Sequence, residues 1–127
     1  MTFTAMPAQA GVHVCSEGNG GISREAITLK AGSGVLVAGS VLGRITTAGA
    51  DLGKYALYDN AASNGTQVAV GALFDGVDAS GAADVHGVAH VRLCELYADR
   101  LTFKAGATDA DKTAAYTDLA TASVVMR

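Results

Sequence analysis

Three histidines and two cysteines are the residues of this chain best suited to chemistry. His86, His90 and Cys94 fall four residues apart, and His13 and Cys15 lie two apart near the N-terminus. Zinc accepts imidazole and thiolate ligands. On one strand, however, residues four apart stand about 13 Å from each other, whereas each ligand atom must come within about 2 Å of the ion. Only a pairing of the N-terminal segment with the His86–Cys94 segment could bring such a set together. The expectation is therefore no metal and no cofactor, with the histidines read as part of a polar or interface-facing strand surface and any special role of His13, Cys15, His86, His90 or Cys94 left open by the sequence. Asp75, Asp78 and Asp84 could in principle meet calcium, but their spacing follows no calcium loop, and a solvated acidic surface is expected. Nucleophilic catalysis fares no better. No Gly-x-Ser-x-Gly elbow is present, since Gly39-Ser40-Val41-Leu42-Gly43 fails the pattern. No glycine-rich phosphate loop leads into Lys112-Thr113. Catalytic residues are expected to be absent, and the protein is not expected to be an enzyme.

The elements that would have to position these groups read as β. Glu25, Ile27 and Leu29 alternate with Ala26, Thr28 and Lys30, the pattern of a half-buried strand. Glycine turns divide Val35–Ile45 into two short strands, and Tyr55 and Leu57 share a face of another. The polar loop ending in Asn64-Gly65 leads into the apolar run Val68–Phe74, with Gly71 at its middle. That run is short for a helix, and the spacing predicts a strand buried on both faces. Asn64, Gly65 and Gly71 are thus the fold-defining turn and strand. Residues 75–84 read as an acidic loop. Val85–Leu96 reads as the longest strand, with His86, Val88, His90, Arg92 and Cys94 on its polar face. Thr108-Asp109-Ala110-Asp111 resembles a helix N-cap, and the Ala-rich Lys112–Ala122 favours helix, with Ala115, Leu119 and Ala122 as its packing stripe. Ser123–Arg127 forms a short β tail.

Residues 1–21 read as a flexible arm ahead of a single β-rich domain, 22–127. Pro7 breaks its first part, and Gly18-Asn19-Gly20-Gly21 makes a joint. Gly11–Ser16 has β propensity without an obvious intramolecular partner. Two readings fit it: a frayed terminus, or a segment that pairs with the sheet edge of another protein on docking.

Composition narrows the function classes. The 127 residues suffice for one domain. Half are hydrophobic, but Trp is absent and aromatics make up 6%, so the apolar content is largely Ala and Val beside 16 Gly. Small side chains bury little area each, and association of subunits would help such a core. A net charge of −3 with nine Lys and Arg supplies no basic stripe, so nucleic acid is not an expected direct partner. No apolar run has the roughly 20 residues of a membrane span. The N-terminus lacks the charged start and apolar block of a signal peptide, and two cysteines do not make a disulfide framework, which points to a reducing cytosol.

Three stretches, in order and spacing, resemble the lambda-type bacteriophage head decoration proteins, which cement capsids. They are Leu36–Ile45 followed by Gly53-Lys54-Tyr55; Asn64–Leu73; and Asp99–Phe103 through the helix to Val124-Val125. The chain departs from the family at Phe103-Lys104, where relatives often carry Trp-Pro. The resemblance implies a mostly β, compact β-clip-like domain with one short C-terminal helix, assembled as a homotrimer. It implies binding to the major capsid protein on the outer surface of an expanded phage head, stabilising the virion against internal DNA pressure, after synthesis in the bacterial host cytoplasm. It also implies an arm that orders on the capsid by strand pairing, for which Phe3, Met6, Val12 and Val14 are the expected contacts. The alternative is a small β-rich virion module that binds a receptor or glycan, and its mark would be exposed aromatics around a pocket among Tyr55, Tyr58, Phe74 and Tyr97.

Overall fold

The structure is a computed structural model, and it describes residues 8–127. The domain is mostly β with one C-terminal helix, as expected. Five strands close into a barrel: β2 (Arg24–Leu29), β5 (Tyr55–Leu57), β4 (Val41–Arg44), β6 (Ala69–Leu73) and β8 (Val85–His90), neighbours in that order. β1 (Val14–Glu17), β9 (Cys94–Leu96) and β10 (Val124–Met126) form a three-stranded sheet with β9 at its centre. β3 (Gly34–Leu36) and β7 (Val77–Ala79) form a two-stranded ribbon.

The alternation in β2 places Ile27 and Leu29 in the barrel core with Leu36, Leu42, Tyr55, Leu73, Ala79 and Ala89. β6 is flanked by β4 and β8, which accounts for its continuous apolar sequence. The burial stops short of the expected bounds: Val68 is exposed and Phe74 half-buried, because the strand itself runs only from Ala69 to Leu73. Gly71 is where barrel closure requires a missing side chain, since a Cβ there would come within 2.5 Å of the His90 carbonyl oxygen. Gly65 combines a φ of +110° with an equally close approach to the backbone of Arg44 and Thr46, a position that glycine fills without steric cost. Asn64 completes the junction. Its side chain accepts from the Thr66 amide at 3.1 Å, and its carbonyl accepts from the Thr46 amide at 2.8 Å.

α1 (Asp109–Thr121) starts on a capping box. The Thr108 hydroxyl accepts from the Asp111 amide, and the Asp111 carboxylate accepts from the Thr108 amide, so two otherwise unpaired donors are satisfied. Asp109 and Asp111 also sit in the first turn, where carboxylates oppose the positive end of the helix dipole. Ala115 and Leu119 are buried in a second core with Val41, Tyr58, Ala69, Ala72, Cys94, Leu96 and Val124, while Ala122 packs at its margin. The Asp118 carboxylate accepts from the Ala69 amide at 3.1 Å, tying α1 to β6.

Two expectations are corrected. The segment 75–84 is not wholly loop, because Val77–Ala79 pairs with β3. Val85–Leu96 is not one strand. β8 ends at His90, Leu93 adopts a φ of +50°, and β9 leaves into the other sheet. The turn rotates Leu93 outward, where it is exposed, and moves Cys94 off any face shared with His86 and His90.

Candidate functional site

Gly11–Ser16, expected without an obvious intramolecular partner, is paired within the chain. β1 runs antiparallel to β9, with Val14 opposite Leu96, Ser16 opposite Glu95 and Glu17 opposite Cys94, across a bulge between Val14 and Ser16. Upstream, the Gly11 amide donates to the Phe74 carbonyl at 2.9 Å and the Tyr97 amide donates to the His13 carbonyl at 2.8 Å. Arg100 donates to the Val12 carbonyl at 3.2 Å. The missing partner was the β9 edge, hidden in the sequence inside what reads as one long strand. β1 lies at the outside of its sheet, with Cys15, Ser16 and Glu17 exposed.

Beneath this segment two imidazoles meet. His13 and His90 are both fully buried, their rings edge to face with centroids 5.9 Å apart. Phe74 lies 5.6 Å from the His90 ring on the other side, and the Arg24 guanidinium sits 4.1 Å above Phe74. Glu17 joins the parts. Its carboxylate accepts from Arg24 at 2.8 and 3.1 Å and lies 2.5 Å from His90 Nε2. A carboxylate only accepts, so Nε2 is the donor. Among the described residues, both nitrogens of His13 and Nδ1 of His90 have no hydrogen-bond partner. Burial, and then the neighbouring His90, lowers the His13 pKa from 6.5 to about 4. The Arg24 hydrogen bond, followed by that from His90, holds Glu17 below its ordinary value.

Pairing of the N-terminal segment with the strand has thus brought His13 to His90 but not the other candidate ligands. His86 is exposed, its Nδ1 3.4 Å from the Thr28 hydroxyl. Cys15 is exposed and Cys94 buried, its thiol pushed up to about 11 by burial and then by Glu17. Among the described residues no group of three or more His, Cys, Asp or Glu could hold a metal ion. The loop carboxylates have separate partners: Asp75 accepts from the Gly76 amide, Asp78 from Ser80, and Asp84 from the Ala31 amide and Lys54. The Ser40 hydroxyl donates to the Val37 carbonyl at 2.8 Å. Tyr55 and Tyr58 are buried, Phe74 covers His90, and Tyr97 stacks under Arg100 at 4.5 Å, so these four aromatics do not line one open pocket.

Of the expected contact residues, Phe3 and Met6 lie outside the described residues. Val12 is 38% exposed, while Val14 is partly buried against the helix-side core. The role of Glu17 and Arg24 escaped the sequence reading. The nearest signal was the β propensity of Gly11–Ser16, and it does not name a partner.

What these features define is a β-rich packing module, with an edge strand near its N-terminus and a polar cluster engaged in holding that strand. Residues 3–124 match the family described as Bacteriophage lambda head decoration protein D. The chain belongs to that family. No curated protein matches it.

Proposed function

We propose that the protein is a homotrimeric cement that binds the major capsid protein on the outside of an expanded phage head and stabilises the shell against internal DNA pressure. Family membership across residues 3–124 carries this reading. The edge position of β1 supports it, because an unpaired strand edge accepts a further strand by main-chain hydrogen bonds. On this reading Phe3, Met6, Val12 and Val14 supply the contacts, and three copies per trimer raise the effective concentration of each for its site. The mechanism is mass action: a protein that binds only the expanded lattice shifts the shell toward that state. A net charge of −3 suits a surface turned away from packaged DNA.

Removing residues 1–10 tests the N-terminal contact while leaving the Gly11 hydrogen bond, His13 and β1 in place. The shortened chain is expected to keep the far-ultraviolet circular dichroism spectrum and the mass of the full trimer, yet to fail to co-sediment with expanded heads. Binding at full strength would contradict the N-terminal contact.

A further inference from the structure

The buried His13–His90 pair takes no part in the proposed capsid contact, and its geometry is unbalanced. His90 has Glu17 as an acceptor at 2.5 Å. His13 has none among the described residues, where both of its nitrogens are buried without a partner. Glu17 is the carboxylate of the cluster, and it is committed to Arg24 and His90. The other groups around the pair do not help a second positive charge. Arg24 from β2 and Arg100 from the turn after β9 are cations. The Cys94 thiol from β9 is neutral, and Phe74 after β6 and Gly39 supply no acceptor side chain. A protonated His13 would place two unsatisfied N–H donors and a charge against His90, a buried state that is strongly disfavoured. In solvent the same proton is taken up freely.

We propose that the His13–His90 contact is an acid-sensitive latch. It holds residues 11–17 on the barrel while His13 is neutral and releases them, with the barrel intact, when His13 takes up a proton. Main-chain hydrogen bonds, the Glu17 contacts with Arg24 and His90, and one buried ring hold the segment, whereas the barrel strands pair independently of it. Release would uncover the edge of β9 that β1 occupies and free β1 as an extended segment. The latch stands on the chain's own contacts, whichever partner the N-terminal segment meets.

The sign follows from linkage. His13 has a lower pKa in the docked state, about 4, than the ordinary 6.5 it regains on release. Docking is therefore at full strength above pH 6.5 and weakens as pH falls through the window from 6.5 to 4, the loss in the docking equilibrium approaching about 300-fold only below pH 4.

The test is a titration of the full-length, isotope-labelled protein by nuclear magnetic resonance from pH 7.5 to 4.5. The expected result is that amides of Val14–Glu17 move to unpaired positions as pH falls below 6, while those of β4 and α1 keep theirs, and that His13→Phe, which fills the site with a ring that cannot titrate, holds β1 docked throughout. Three results would overturn the latch: β1 amides that stay paired to pH 4.5, barrel and β1 signals lost together, or a His13→Phe protein that releases β1 at the same pH as the parent. The wild-type titration decides the first two even if the variant does not fold.

Discussion

At the scale of single residues, the two cysteines separate what exposure and burial do to the same side chain. Cys15 is exposed on β1, and Cys94 lies in the helix-side core directly below the β1–β9 pairing. Only the thiolate reacts readily, and burial pushes the Cys94 thiol up to about 11. At pH 8 a colorimetric disulfide reagent is therefore expected to titrate one thiol within minutes and the second only on unfolding, and Cys15→Ser is expected to abolish the fast phase. Two fast thiols in the folded protein would show that β1 does not shield Cys94. The histidines teach a related lesson. In the sequence His90 stands in register with His86 and Cys94, yet the fold gives it to Glu17 and His13. The contacts join residues 73 and 77 positions apart, and no local pattern encodes that distance.

At the scale of elements, legibility tracks how far an element depends on its neighbours. α1 was readable because its start, its composition and its buried stripe are all local: Thr108, the first-turn carboxylates, and Ala115 and Leu119 four residues apart. β2 was readable from the alternation that buries Ile27 and Leu29. β8 and β9 were not readable as two strands, since the break between them rests on Leu93 in the left-handed region, where glycine would have marked it. β7 was hidden for a different reason: Val77-Asp78-Ala79 is too short and small to show a period, and it is a strand through its pairing with β3. The helix start carries its own prediction. Thr108→Ala removes the hydroxyl of the capping box and is expected to lower stability by about 1 kcal/mol, a fall in Tm of roughly 3–6 °C for a domain of this size. Thr108→Ser should recover most of it. Equal melting of the two variants in calorimetry would mean that the cap contributes nothing.

At the scale of the whole molecule, the barrel and the helix-covered sheet each enclose a core of Leu, Val, Tyr and Ala, with Ile27 in the barrel and glycines at barrel contacts that allow the strands to close. On the proposed reading, the chain meets a shell through the β1 edge and the segment before it. The capsid reading is tested most directly by co-sedimentation of the purified, full-length protein with undecorated heads in two forms, unexpanded and expanded, at matched protein concentration. The account predicts saturable binding to expanded heads in multiples of three copies, with little or none to the unexpanded form. Equal binding to both forms, or none to either, would contradict it.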